Sequence, residues 1–239
     1  MSQADRRPSS SPIGNRVLAR LPEEERRRVG ARLELVHLTP GTTLDRLGVA
    51  AAAAYFPTSA VVSLRSLTRE GESVEIATVG DDGVVGLPHL IDRIAASHDA
   101  VVQVRGDAYR LGAEPFVTEY LRAPAFQQSV QRALRGLLAQ TAQAALCHRF
   151  HKIPQRLARA LLHRRDRALT DSFRLTQEAL ALQLGSSRAA VSAAETELQD
   201  RNVIRVRHGR VTVLDRSALE HAACECYLAL KSRTSYAPP

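Results

Sequence analysis

The chain has 239 residues, room for one large or two ordinary domains that each bury their own core. It has no tryptophan and one methionine, so Leu, Val, Ile and Ala must fill that core, and the net charge is +8. Three cysteines make no disulfide framework, which fits a reducing, cytoplasmic setting, and no apolar run is long enough for a membrane span or a signal peptide.

Residues 1–14 include SQADRRPSSSPIG, a Pro/Ser/Arg tail that buries too little to fold and is expected to be disordered. NRVLARLPEEERRRVGARLE (15–34) alternates apolar and charged positions at helical spacing, which predicts one or two short helices broken near Pro22. From Leu35 to about Glu114, short runs such as VVSLRSL, SVEIATVG and DAVVQVRGDAYRL are punctuated by glycines, as suits a β-sandwich or roll. A longer helix is predicted from Pro124 to about Phe150. There Val130, Leu134, Leu137, Leu138, Thr141, Ala144, Ala145 and Cys147 or His148 form an apolar seam of roughly 3.5-residue period, suited to dimerisation. The alternative is that the seam packs on the β region.

A further amphipathic helix runs from Pro154 to about Arg165, followed by a polar linker, DRALTDSF. Two short helices hinged at Leu184-Gly185-Ser186 come next, with Thr176 and Ser187 as their N-caps. This is the spacing of a helix-turn-helix. VIRVRHGRVTVLD then predicts two strands around the tight turn His208-Gly209, and Ala218 to Leu230 a closing helix. The charge is segregated: residues 148–216 hold 14 Lys/Arg against 7 Asp/Glu, nearly the whole surplus. A basic surface around a groove-sized helix is the electrostatic footprint of phosphate binding.

LTQEALALQLGSSRAAVS…IRVRHGRVTVLDRSAL, with YFPTSAVVSL, VEIATVGDDGVVGLP, CHRFHKIPQRLARALL and ACECY, resembles the Crp/Fnr family of bacterial transcription regulators over about residues 15–228. The resemblance implies an α+β chain: a β-roll sensor-like domain of the cyclic-nucleotide-binding type (15–122), a dimerisation helix (123–151) and a winged helix-turn-helix DNA-binding domain (152–239). It further implies double-stranded DNA, a second copy of the chain, RNA polymerase and an unknown small-molecule effector as partners. Three departures stand out. VVGLPHLIDRIAASHDAVVQV lacks the Gly-Glu and Arg-Ser/Thr-Ala pairs that hold a cyclic nucleotide, and no cysteine precedes Cys147 to ligate an iron–sulfur cluster. The second motif helix offers Arg188-Ala189 where relatives carry Arg-Glu, and Ala193 where they carry a second Arg. Glu195 falls where they have an apolar core residue, so either the helix is rotated, or Glu195 pairs with an Arg, or the domain is weakened.

The DNA-contacting candidates on the two motif helices are Thr176, Gln177, Ser187, Arg188, Ala189 and Ser192. Arg188 is the one strong base-reading group, by two hydrogen bonds to guanine. On the wing they are Arg205, Arg207, His208 and Arg210, placed for phosphates. The dimerisation candidates are Val130, Leu134, Leu137, Leu138, Thr141 and Ala145. Neither a cofactor nor a metal site is expected: Cys224-Glu225-Cys226 has too short a spacer for the usual zinc pair, and His148 and His151 next to Cys147, which could clip a metal at a dimer seam, are taken as structural or partly exposed residues. His89, Arg93, His98, Asp99 and Arg105 fall where relatives line a pocket, though none is assigned to a ligand. No enzyme is expected, since no phosphate loop, ligand cluster or catalytic triad stands in recognisable context. The rival to a regulator is a sensor or interaction module whose helix-turn-helix has lost sequence specificity.

Overall fold

The computed structural model describes residues 14–229 except Leu169, so the expectations for the tail before Gly14 and for Leu230 lie outside the described residues. Helices α1 (Arg16–Ala19) and α2 (Glu23–Gly30) come first, parted at Pro22. Asn15 caps α1, its side-chain oxygen accepting from the Val17 and Leu18 amides. Strands β1 (Glu34–Leu38), β2 (Thr43–Asp45), β3 (Ala53–Pro57), β4 (Val61–Leu67) and β5 (Ser73–Val79) precede the single turn of α3 (His89–Asp92). Then come β6 (Asp99–Val104), β7 (Gly106–Gly112), α4 (Ala113–Arg122) and α5 (Pro124–Phe150). The strands form two sheets, ordered β1-β7-β3 and β2-β6-β4-β5, the β-roll that the sequence predicts. Chain neighbours are mostly not sheet neighbours, which is how a roll winds and why alternation alone does not disclose it.

The chain divides into two compact units, one made of residues up to 64 with 78–137, the other of 65–77 with 138–239. In the first, Phe56, Phe116 and Phe126 are fully buried, with the Phe116 and Phe126 rings edge-on at 5.6 Å. Val130 is fully buried in this same cluster, and Ala133 and Leu134 pack on its margin. This corrects the seam on α5. Val130 and part of Leu134 are satisfied inside their own chain, because aromatic side chains of α4 and α5 build a core there. The outward apolar residues begin at Leu138, 69% exposed, and continue through Leu146 and Phe150.

The second unit holds α6 (Ile153–Ala168), β8 (Ser172–Arg174), α7 (Gln177–Leu184), α8 (Arg188–Asp200), β9 (Ile204–Arg207), β10 (Arg210–Val213) and α9 (Arg216–Ala222). Its core joins Leu157, Leu161 and Leu162 of α6 to Leu180, Leu184, Val191 and Leu198 of the motif helices. Each such Leu stabilises by about 1.5–3 kcal/mol when buried, so this cluster fixes the relative pose of α7 and α8. Two elements differ from expectation. The polar linker contains β8, recruited because Phe173 is buried opposite Val211, and β10 becomes the centre of a three-stranded sheet, β8-β10-β9. Helix α9 stops at Ala222, where Ala223 turns extended; residues 226–229 are helical again, so the predicted closing helix is interrupted at the segment that carries Cys224 and leads into Cys226. Among the described residues no helix is long and apolar enough to cross a membrane.

Candidate nucleic-acid interface

The geometry of α7 and α8 follows from three local features. Thr176 accepts from the Ala179 amide and Ser187 from the Ala190 amide, so each helix starts at the residue the sequence marked. Between them Gly185 adopts a left-handed conformation, φ 52°, and closes α7 through its amide to the carbonyl of Leu182. A β-carbon on Gly185 would come within 2.9 Å of the Val74 side chain, a second reason for glycine there.

Helix α8 buries Val191, Ala194 and Leu198 and turns Ser187, Arg188, Ala189 and Ser192 outward. Arg188, at its first turn, lies 3.1 Å from Glu178 of α7, with both side chains about two-thirds exposed. Such a surface pair is worth little and yields readily to a stronger anion. Glu195 resolves the open question on this helix. It remains in the core, 3% exposed, and its partner is not an arginine: Gln177 donates to one carboxylate oxygen at 2.8 Å. The other oxygen finds no donor among the described residues, and burial pushes the carboxyl above its ordinary range. Gln177, expected at the DNA, therefore spends its amide on holding α7 to α8.

In the wing the period-two pattern sorts the side chains. Ile204, Val211 and Val213 are buried, while Arg205, Arg207, His208 and Arg210 are exposed. Arg207 pairs with Arg210 across a two-residue turn, and His208 and Gly209 both take positive φ, 49° and 69°, as this hairpin type requires. Arg210 also reaches the Ser172 hydroxyl at 3.4 Å. Arg174, at the end of β8, is exposed and aligned with Arg210 in the register. The four cationic positions Arg174, Arg205, Arg207 and Arg210 thus belong to one small sheet and are all exposed, which concentrates positive charge on it.

In the β-roll, a cavity of about 200 Å³ is lined by Ala50, His89, Arg93, Ile94, Glu114 and Val117. His89 and Arg93 thus line it, as the sequence placed them. His98 instead lies behind, its ring 4.8 Å from that of His89, and burial first, then His89, pushes its imidazole down to about 4. Asp99 accepts from the Leu47 amide, and Arg105 is exposed. Asp45 is buried with no donor among the described residues, and its carboxyl rises to about 6.

One constellation is not assembled from the sequence, which offers its two halves as separate candidates, neither expected to hold a metal. Cys147, His151, Cys224 and Cys226 bring their donor atoms within 4.8 Å of one another, and His148, grouped with them by chain position, is not among them. The signal present was Cys-x₃-His, one helical turn apart on a single face; its completion by a segment more than seventy residues later was not legible.

Residues 155–222 match the family model of the Crp-like helix-turn-helix domain. No curated protein matches the sequence. Among solved structures, a Eubacterium rectale protein assigned to the Crp/Fnr family of transcriptional regulators superposes with TM-score 0.72 at 16% identity, covering 87% of this chain and 98% of its own. The c-di-GMP-responsive global regulator CLP of Xanthomonas campestris gives TM-score 0.69 at 17% identity, covering 81% and 100%. A Crp/Fnr-family transcriptional regulator of Thermus thermophilus gives 0.68 at 22%, covering 80% and 98%.

Proposed function

We propose that this chain, a DNA-binding transcription regulator of the Crp/Fnr type by its helix-turn-helix domain and its fold, works in the cytoplasm as a homodimer on two-fold operator sites. The observation that carries the reading is that the first turn of α8, with Ser187, Arg188, Ala189 and Ser192, and the wing positions Arg205, Arg207 and Arg210 are all exposed. The helix N-terminus supplies base contacts and the wing supplies phosphate contacts, the division of labour that positions a winged helix on duplex DNA. RNA polymerase is the downstream partner of this reading, and the cavity beside His89 and Arg93 is where a small effector would sit.

Dimerisation is assigned to the C-terminal half of α5, where Leu138 and Ala145 are exposed and Leu137 and Thr141 half-buried. Exposed apolar side chains at heptad spacing on a long helix, such as Leu138 and Ala145, are costly in water and are covered by a second copy. The test is twofold. Fluorescence anisotropy with generic and genomic duplexes should show binding that weakens steeply with salt. Leu138→Glu combined with Ala145→Glu should convert dimers to monomers in light scattering and abolish cooperative footprints on two-fold sites. A double variant that stays dimeric places the interface elsewhere; a wild-type chain with no salt-dependent binding refutes the regulator.

A further inference from the structure

Cys147 and His151 stand one turn apart at the C-terminal end of α5, and His151 donates its amide to the Cys147 carbonyl. Cys224 and Cys226 come from the segment after α9. Cys147 and Cys226 are fully buried, Cys224 is 3% exposed and the His151 side chain 11%. Cys147 Sγ lies 3.5 Å from Cys224 Sγ, far beyond a disulfide bond, and Cys226 Sγ lies 3.4 Å from His151 Nδ1. Ligands at about 2.3 Å (sulfur) and about 2.0 Å (nitrogen) around a tetrahedral zinc ion sit about 3.5–3.8 Å from each other. The Cys147–Cys224 and Cys226–His151 separations are close to the edges of that tetrahedron, and all four donor atoms lie within 4.8 Å of one another. Burying three thiols and an imidazole together with so few other partners needs an explanation that packing alone does not give.

We propose that Cys147, His151, Cys224 and Cys226 form a closed Cys₃His site for one zinc-class divalent ion, which fastens the end of α5 to the segment following α9. The surroundings are those of an outer shell. His151 presents Nδ1 to the site while its Nε2 lies 3.1 Å from the Glu225 carboxylate, which fixes the tautomer for coordination. Gln143, itself buried, donates to Cys226 Sγ at 2.9 Å, as amides do to metal-bound thiolates. Three thiolates and a divalent cation leave one net negative charge. Arg156, 6% exposed, and Arg159 lie close enough to act on these sulfurs electrostatically, and the Nε of each lacks an acceptor among the described residues. Four protein ligands leave no open position, so the ion is structural and not catalytic. The short Cys-x-Cys spacer is no obstacle, because the two sulfurs take separate corners alongside partners from α5.

The test uses the full-length chain, purified under reducing conditions without a histidine tag. Elemental analysis should find about one zinc per chain. Cobalt(II) added to the metal-free, reduced chain should give the visible bands of tetrahedral thiolate coordination and a thiolate-to-cobalt charge-transfer band. Cys224→Ser with Cys226→Ser should abolish both, and Glu225→Gln, at an exposed position, should weaken zinc binding about ten-fold while the fold is kept. The wild-type cobalt spectrum needs no variant to fold. A reduced chain that takes up neither metal overturns the proposal, as does a freshly purified, metal-free chain with Cys147 and Cys224 joined in a disulfide. A spectrum that survives the double cysteine variant overturns this assignment of ligands.

Discussion

On α8 small and hydroxylated side chains face outward and an acid is held inside; on the wing arginines face outward and β-branched residues are held inside. Ser187, Ala189, Ser192 and Ala193 are exposed with Arg188 as their lone cation, whereas Glu195 is buried. Across the turn, Arg205, Arg207 and Arg210 alternate with Ile204, Val206, Val211 and Val213. Phosphate contacts supply affinity and base contacts supply choice. On the proposed reading, affinity is concentrated in the wing, and what sequence choice the domain makes through direct contact rests on the first turn of α8. The thin outward face of α8 leaves room for shape and deformability of the duplex to contribute the remainder.

The largest effect separating the two regions should come from the wing. Replacing Arg205, Arg207 and Arg210 together with Ala removes three phosphate contacts. At a salt slope of about −0.9 per contact, that costs a few hundred-fold in affinity at ~0.1 M salt, on every sequence alike. Binding titrated against salt, on a genomic site and on its scrambled version, checks this. An unchanged slope means that the wing does not touch the backbone. Arg188→Ala should act the other way, by about 1–3 kcal/mol on the preferred site and negligibly on scrambled DNA. Because the Glu178 pair is exposed on both sides, breaking it in the free chain should leave the melting temperature unchanged. Equal losses on both duplexes would show Arg188 to be one more phosphate contact.

The same contrast explains what the sequence disclosed. The wing was legible to the residue, because strict alternation flanks a His-Gly turn and each position has only one face to choose. The caps Thr176 and Ser187 were legible for a similar reason, being set by the chemistry of one side chain and one amide. Helix α8 was not fully legible, because its period places an acid on the core face. Only in the folded chain does Gln177 answer it. The seam on α5 was legible as a pattern and not as an interface: period alone cannot tell that Val130 joins the cluster of Phe116 and Phe126 while Leu138 is exposed on the single chain. The cysteine cluster was legible only in its halves, Cys147 with His151 and Cys224 with Cys226, since these come from segments joined only by the fold of the second unit.

The smallest effect concerns the inward side of α8. Glu195 has one oxygen bonded to Gln177 and one without a donor; burial raises its carboxyl above the ordinary 4.5, and the Gln177 bond only partly opposes this. A raised carboxyl binds more protons folded than unfolded between the two values. Its favourable contribution is thus fully present below about 4.5 and is lost as pH rises through the folded value, leaving a penalty at neutral pH. Glu195→Gln keeps the shape, can still bond Gln177 and carries no charge at any pH. It should stabilise the chain by about 1 kcal/mol at pH 7, the low end of what a poorly satisfied buried polar group costs. That corresponds to a rise of a few degrees in melting temperature. The advantage should shrink towards zero near pH 4, where the native acid is already protonated. Thermal melts of both proteins at pH 4 and pH 7 decide it. A gap of the same size at both values would mean that Glu195 costs stability through packing and not through charge, and the salt slope on DNA should be untouched in either case, because this face of α8 never meets the duplex.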